Sequence, residues 1–220
     1  LRRQRQMCIR DSLLSGCFHQ EKYSFPNPRK EFEIQGLVWR TISYYYHPGI
    51  YKELYNPETN IRFVLKARDL GANYLLIKAF YNGTEEGMLI GDYAEAESYL
   101  KKAIETAHAY GLGVLLTPYV ESREYWTNKR WKLSAEVWTE TVLKWAEFAE
   151  KNRVEMFAPG VEMNLIIDEE KVGEWYKEIL PEIRKRYSGK VVTAEHFDIQ
   201  RWKILDKANS FAGYDCIGLT

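Results

Sequence analysis

The apolar positions of the chain recur in two alternating patterns. Six short runs are typical of buried strands, and they begin near Ile34, Tyr74, Gly113, Glu155, Lys190 and Tyr214. A segment with apolar residues at helical spacing separates each pair of runs. Strands that alternate with helices along a chain form a parallel sheet. The pattern therefore predicts an α/β protein with about six strands and five helices.

The predicted helices begin at recognisable capping residues. Asn56, Asp92 and Ser134 each precede an amphipathic segment, where a side-chain oxygen can bond the free N–H groups of the first turn. A fourth helix is predicted after Asp168, where an acidic run favours the positive end of the helix dipole. Pro181 lies inside that fourth pattern, so we expect a kink or a restart there.

Two architectures fit this alternation, an open doubly wound sheet and a closed (β/α)8 barrel. A doubly wound nucleotide-binding sheet has a Gly-rich turn after its first strand, whereas here the first strand leads into the aromatic sequence of residues 39–47. The barrel is therefore favoured. A complete barrel takes roughly 250 residues, and this chain ends at Thr220, inside or just after the sixth predicted strand. We predict an incomplete TIM barrel in residues 34–220, truncated before strand seven.

Residues 1–33 precede the predicted barrel and divide into two parts. Residues 7–12 read MCIRDS, which resembles the translation of a transposon-type sequencing adaptor in one frame. We therefore expect residues 1–12 to be an artefact, with a genuine basic tail as the alternative. Residues 13–17 read LLSGC and resemble a bacterial lipobox, in which Cys17 would be lipidated. Residues 13–33 would then be a lipobox remnant and a linker, and an ordinary surface Cys17 is the alternative.

The lipobox bears on where the protein is located and what it contacts. It predicts an extracytoplasmic lipoprotein held at a membrane surface through Cys17, and a cytoplasmic location is expected otherwise. No run reaches the roughly 20 apolar residues that a membrane span needs. Leaving out residues 1–12 removes four Arg and one Asp and leaves 27 basic against 30 acidic residues. A near-neutral chain argues against nucleic acid as a partner.

Cysteine and histidine offer little further chemistry. With Cys8 and Cys17 assigned as above, Cys216 is expected to pack as a small hydrophobe, and no disulfide is predicted. The sequence has no HxH or HExxH spacing and no Gly-x-Ser-x-Gly elbow. A metal site at Glu195, His196 and Asp198 is a weak alternative. We therefore expect neither a metal nor a cofactor.

Polar and aromatic residues follow the predicted strands, at the end where a TIM barrel carries its chemistry. Glu162 closes the fourth run and is a candidate proton donor. The candidate substrate-binding residues follow the first, third, fourth and fifth runs, and they are Trp39, Arg40, Tyr119, Asn164, Glu195 and His196. Aromatic rings stack on the C–H faces of sugars, while carboxylates and amides bond sugar hydroxyls, so this rim predicts a carbohydrate partner. For any single Tyr or Trp the alternative is that it closes the barrel mouth, and Glu195 can also serve to orient His196.

The chain from about Ile34 to Thr220 resembles the clan A glycoside hydrolases, most closely the β-mannanase-like barrels of family 113. The resemblance rests on GANYLLIKAF, AHAYGLGVLLTPYV, FAPGVEMN, IRKRYSGKVVTAEHF and YDCIGLT. It implies that Gly160-Val161-Glu162 carries the general acid/base and that the nucleophile ends a seventh strand, beyond Thr220. The stretch Asp215–Gly218 matches the Asp-x-Ile-Gly of strand six. Val161 stands where many clan members have Asn.

The implied reaction is retaining hydrolysis of a β-linked polysaccharide or oligosaccharide, with mannan-like hemicellulose as the expected substrate. Such hydrolysis needs two carboxylates about 5 to 5.5 Å apart. One protonates the leaving oxygen and the other attacks the anomeric carbon. With only Glu162 present, the 220-residue chain is expected to be inactive alone. The alternative from another class is a non-catalytic carbohydrate-binding barrel at the cell surface, which would lack a carboxylate at the end of strand seven.

Overall fold

The computed structural model describes residues 36–38, 47–84, 87–121, 132–195, 203–206 and 209–219 of the chain. The strands are β1 (Gly36–Val38), β2 (Tyr74–Gly83), β3 (Leu89–Ile90), β4 (Gly113–Glu121), β5 (Met156–Phe157), β6 (Lys190–Glu195) and β7 (Cys216–Leu219). The helices are α1 (Ile50–Leu54), α2 (Pro57–Asp69), α3 (Tyr93–Ala109), α4 (Ala135–Lys151), α5 (Met163–Ile166) and α6 (Glu169–Arg184).

The strands form one sheet in the order β1-β2-β4-β5-β6-β7, and all of these neighbours pair in parallel. Strand β3 is a short antiparallel addition to the end of β2. The longest ladder joins β2 to β4, from the pair Tyr74 and Gly113 to the pair Asn82 and Glu121. Because the strands are parallel and in sequence order, their carboxyl ends lie along one edge of the sheet. The predicted incomplete barrel with six parallel strands is confirmed.

The sheet buries side chains on both of its faces. One face carries a compact apolar cluster, whose members are Leu76, Leu115, Met156, Ala158, Val192 and Cys216. Their neighbours in sequence point to the other face, where Leu75, Ile77, Val114 and Val191 join the larger core formed with the helices. Strands that are buried on both faces read as continuous apolar runs. The smaller cluster therefore lies in the barrel interior, and the larger core forms the layer between the sheet and the helices.

The predicted helix starts agree with the structure. The Asn56 side chain accepts a hydrogen bond from Thr59 N–H at 2.9 Å, and Asp92 Oδ1 accepts one from Glu95 N–H at 2.8 Å. Of the predicted kink or restart at Pro181, the restart is wrong, because α6 runs without interruption across Pro181 to Arg184. Ile179 and Ile183, on either side of Pro181, are fully buried against the sheet, so tertiary packing outweighs the one missing backbone hydrogen bond.

Two tyrosines of the segment around α1 bond the backbone of β2 beyond the point where β1 pairs with it. The Tyr51 hydroxyl donates to Phe80 C=O at 3.0 Å and accepts from Phe80 N–H at 2.8 Å. The Tyr55 hydroxyl does the same with Lys78, at 3.2 and 3.3 Å. Among the described residues, β1 pairs with β2 from Tyr74 to Leu76. The two hydroxyls therefore satisfy backbone groups of β2 that lie beyond this stretch.

Two further expectations meet the structure here. The prediction that no disulfide forms is wrong, since Cys216 is disulfide-bonded. Cys216 does pack among apolar side chains, as expected. Counting cysteines along the sequence missed this bond because it depends on tertiary contact. No helix in the described part of the chain is both long and apolar enough to span a membrane.

Candidate active site

Glu162 lies at the carboxyl end of β5, on the edge of the sheet where TIM barrels carry their chemistry. Strand β5 pairs with β4 through Met156 and Phe157, and Ala158 N–H extends the ladder by bonding Leu116 C=O at 2.9 Å. After two more residues the chain meets β6, where Glu162 N–H donates to Ala194 C=O at 2.8 Å. Glu162 is half-buried. Two neighbouring strands therefore fix the backbone that carries this carboxylate.

The turn that leads to Glu162 depends on a close approach at Gly160. A Cβ at this position would lie 2.4 Å from Met163 Sδ and 3.3 Å from Trp138 Nε1. Trp138 is fully buried in α4, and its indole N–H donates to Pro159 C=O at 3.0 Å. The absence of a side chain at residue 160 thus lets Met163 and Trp138 pack directly on the turn. Helix α4 and the turn are held together by this contact.

Glu162 itself has a left-handed backbone, with φ of 58° and ψ of 35°. This region costs a residue other than glycine of order 1 kcal/mol or more, and it persists where surrounding contacts enforce it. Asn and Asp are the residues that visit it most readily after glycine. A glutamate in this conformation, directly before the short helix α5, is an observed outlier at the strand end that the sequence singled out.

Glu195, the last residue of β6, is fully buried in the layer between sheet and helices. One carboxylate oxygen accepts the backbone N–H of Asn164 at 2.9 Å. The other accepts the Tyr176 hydroxyl of α6 in a short hydrogen bond, and the Thr193 hydroxyl at 3.1 Å. Glu195 shares its face of β6 with Val191 and Thr193, opposite the interior residue Val192. Both oxygens of Glu195 are thus occupied by protein donors.

The charge state of Glu195 reflects this environment. Burial raises the pKa of Glu195 to about 7, although hydrogen bonds from Tyr176, Asn164 and Thr193 favour the ionised form. The negative charge of Glu162 adds to the rise. Burial, with the nearby Glu195 charge, also raises the pKa of the Tyr176 hydroxyl, so Tyr176 remains a neutral donor. The carboxylates of residues 162 and 195 are therefore close enough to interact electrostatically.

Two other predicted substrate-binding residues lie on the same edge of the sheet. Asn164 is buried, at 1% exposure. Its backbone N–H donates to the Glu195 carboxylate. Tyr119 is half-buried near the end of β4, where its ring meets Phe80 edge-on at 6.1 Å between centroids. Lys78 Nζ lies 3.9 Å from the Tyr119 ring centroid, in cation–π contact.

The remaining predicted site residues are Trp39, Arg40, His196 and Cys17, and they lie outside the described residues, as do the adaptor-like and lipobox segments. The structure brings Glu162, Asn164 and Glu195 together and places Tyr119 two strands away from Glu195 in the sheet order. Among the described residues, no three His, Cys, Asp or Glu side chains cluster closely enough to hold a metal ion.

Sequence reasoning missed Tyr176 and Thr193, the side-chain donors to Glu195. Tyr176 reads as one more apolar residue of an amphipathic helix, next to Trp175. Nothing in its spacing indicates that its hydroxyl meets a carboxylate 19 residues later. Thr193 does carry a signal, because a polar residue two positions before Glu195 in a strand shares its face.

The opposite edge of the sheet is occupied by structural ion pairs. A depression of about 440 Å3 lies there, lined in part by Glu155, Arg184 and Asp215. Asp215 accepts from Arg184 at 2.5 Å and from the backbone N–H of Val191 at 2.6 Å. The Asp-x-Ile-Gly stretch therefore begins at the amino end of β7, where barrel residues serve stability rather than chemistry.

Comparison with solved structures identifies the class of fold. A Glycoside Hydrolase Family 113 β-mannanase from Alicyclobacillus acidocaldarius, in complex with ManMIm, matches with a TM-score of 0.59 and 17% identity, over 79% of this chain and 59% of its own. A second family 113 β-1,4-mannanase matches with a TM-score of 0.57 and 20% identity, over 79% and 60%. A family 5 enzyme, subfamily 18, from Streptomyces cattleya, in complex with Manβ1-4GlcNAc, matches with a TM-score of 0.50 and 11% identity, over 66% and 41%. The fold is that of the TIM-barrel glycoside hydrolases.

The sequence itself assigns the family. The profile of Glycoside Hydrolase Family 113 matches residues 88–218, which is more than half of the chain. The protein belongs to Glycoside Hydrolase Family 113. Comparison with curated proteins gives no match. The chain spans about 60% of the length of the two family 113 structures.

Proposed function

We propose that this chain is part of a retaining glycoside hydrolase that acts on a β-linked mannan-like glycan, with Glu162 as the general acid/base. The observation that carries the proposal is the position of Glu162, a half-buried carboxylate at the carboxyl end of β5 in a family 113 barrel. The substrate is inferred from the two family 113 β-mannanases with the same fold. Their sequences differ from this one at most positions, so they support the substrate class rather than the details of recognition.

The proposed reaction proceeds by double displacement. Glu162 donates a proton to the glycosidic oxygen while a second carboxylate attacks the anomeric carbon and forms a glycosyl-enzyme ester. The deprotonated Glu162 then takes a proton from water, which attacks the same carbon and releases the sugar with its original anomeric configuration. We place the nucleophile at the end of the seventh parallel strand of the barrel, which would follow β7 beyond Thr220. The alternative partner Glu195 is unsuited to attack, because it is fully buried and bonded by three protein donors.

The experiment begins with sequencing through both ends of the source locus and expressing the complete reading frame. Glu162→Ala should lower kcat/KM for an unactivated mannooligosaccharide by about 10²- to 10⁴-fold, because general acid catalysis contributes that much. It should leave kcat/KM for a dinitrophenyl β-mannoside nearly unchanged, since this leaving group needs no proton. Azide should accelerate turnover of the activated substrate by Glu162→Ala and yield a β-glycosyl azide.

A matched control is Glu155→Gln, which alters a carboxylate at the opposite edge of the sheet that bonds the backbone N–H of Val114. This variant should keep wild-type ratios between the two substrates. Equal loss on both substrates in Glu162→Ala, or no rescue by azide, would refute the acid/base role. If the parallel strand that follows β7 ends without a carboxylate, a carbohydrate-binding barrel would be favoured instead.

The membrane anchor at Cys17 remains a prediction of its own. The same reading frame shows whether an apolar signal segment precedes Cys17. Replacement of Cys17 by Ser should then release the protein from the membrane fraction, since a lipid-modified cysteine would be its attachment. Retention of the Ser variant in that fraction would contradict the anchor.

A further inference from the structure

We propose that Glu195 is a positioning residue that holds the catalytic carboxylate of Glu162 in place through the backbone of residues 162–164. The inference rests on the proposed role of Glu162. It goes beyond that role because it gives a task to a second carboxylate, which the sequence suggested as a substrate ligand.

Two hydrogen bonds join the end of β6 to the segment that carries Glu162. Ala194 C=O accepts Glu162 N–H at 2.8 Å, and the next residue, Glu195, accepts Asn164 N–H at 2.9 Å through its side chain. The first bond belongs to the irregular pairing around Val161 and Ala194. The second is made by a side chain, at the last residue of β6 in the described part of the chain. The Glu195 side chain therefore extends the contact between the two strands by two residues.

The surroundings of Glu195 are organised to keep its carboxylate in one orientation. Tyr176, from α6, and Thr193, from the same strand, both donate to the oxygen that does not bind Asn164. Tyr176 is in turn packed against Phe211 and Tyr214, with ring centroids 5.1 and 5.8 Å away. A carboxylate held from one side by two hydroxyls presents its second oxygen to Asn164 N–H in a fixed direction.

Burying Glu195 is unfavourable unless its bonds compensate for the lost water. An apolar residue at position 195 would fill the same layer without that cost, as Val191 does further back on the same face of β6. The contact that an apolar residue could not supply is the bond to Asn164 N–H. Glu162, two residues earlier, has a left-handed backbone that neighbouring contacts must enforce. The Glu195 bond is well placed to enforce it.

The test compares Glu195→Ala, Glu195→Gln and the control Glu155→Gln in the complete protein, with the same two substrates as above. A misplacement of about 1 Å in a catalytic group can cost about 10²-fold in rate. Glu195→Ala should therefore lower kcat/KM for the unactivated mannooligosaccharide by about 10- to 100-fold, while that for the dinitrophenyl β-mannoside stays near wild type. Glu195→Gln should recover part of the loss, because its amide oxygen can still accept from Asn164 N–H.

Selective loss on the substrate that needs protonation, with partial recovery in Glu195→Gln, supports positioning of Glu162. Equal loss on both substrates, or wild-type ratios in Glu195→Ala, overturns it. If Glu195→Ala fails to fold, Tyr176→Phe decides, since it removes one donor that orients Glu195 and should show the same selectivity to a smaller degree. Failure of Glu162→Ala to show selectivity and azide rescue would overturn the proposed function, whereas failure of the Glu195 variants alone overturns only this inference.

Discussion

The close packing around Gly160 gives a prediction whose size follows from the structure. In Gly160→Ala the new methyl group would lie 2.4 Å from Met163 Sδ and 2.6 Å from Met163 Cγ, both far inside van der Waals contact. The φ angle of Gly160 is outside the left-handed region, so the backbone accepts an alanine without strain. The cost of the substitution is therefore one of packing, and it falls mainly on a single neighbouring side chain.

Overpacking of this kind costs about 1 to 3 kcal/mol in the free energy of unfolding. Met163 is fully buried, so Met163→Ala alone should cost about 2 to 5 kcal/mol. In the double variant the methyl group at residue 160 occupies space that Met163 has vacated. The double variant should consequently be more stable than the sum of the single changes predicts, by about 1 to 3 kcal/mol.

The assay is equilibrium unfolding in denaturant of the wild type, both single variants and the double variant. The free energies are compared only if the variants share the same dependence of unfolding free energy on denaturant concentration. Gly113→Ala is the control, because a Cβ there would lie 2.4 Å from the Tyr74 ring, at the amino end of the strands. Combined with Met163→Ala, it should be additive. Additivity of Gly160→Ala and Met163→Ala to within about 0.5 kcal/mol would show that Met163 does not set the cost at Gly160.

Three further changes test other parts of the structure. Burial raises the pKa of Glu195 to about 7, so the folded protein holds a proton that the unfolded chain releases near its ordinary value of 4.5. The free energy of unfolding should therefore fall by up to about 3 kcal/mol as the pH rises from about 4.5 to 7. Glu195→Gln should remove this part of the pH dependence, and an unchanged pH dependence in thermal or denaturant unfolding would contradict the raised pKa. Trp138→Phe leaves Pro159 C=O without its buried donor and should cost about 1 to 3 kcal/mol, with loss of activity exceeding that of equally destabilised variants elsewhere; unchanged unfolding would contradict the bond. Asn56→Ala removes the cap on Thr59 N–H and should cost about 1 kcal/mol without affecting substrate selectivity, which activity assays on the two substrates would check.

Periodicity in the sequence was enough to predict the order of the six parallel strands and of the four longer helices, and the location of Glu162, but not the short elements β3, α1 and α5. Runs buried on both sheet faces alternate with amphipathic helices, and a carboxylate that directly follows such a run must lie at the edge of the sheet. The direction of the Glu195 side chain could not be predicted in the same way. Val191 and Val192 are both apolar because both faces of β6 are buried, so the sequence pairs Thr193 with Glu195 on one face but does not indicate which face that is.

Tertiary contacts account for the other differences between expectation and structure. The helix through Pro181 continues because its buried face packs on the sheet. Rules for helix ends that use local sequence alone do not include this packing energy. The Tyr176 hydroxyl and the Cys216 disulfide likewise depend on which residues the fold brings together. Local signals thus located the candidate acid/base, whereas the residues that support it became visible only in three dimensions.

The hydroxyls of Tyr51 and Tyr55, which bond the backbone of β2, have a consequence for intermolecular association. An open strand edge offers unpaired N–H and C=O groups to any other extended chain, which makes such edges templates for aggregation. At Lys78 and Phe80 those groups are already engaged by Tyr55 and Tyr51. A foreign strand would have to displace both hydroxyls before it could add to β2 at these positions. Protection of this kind resides in one oxygen atom per residue, so a change from tyrosine to phenylalanine would keep the packing and yet remove the bonds to these backbone groups.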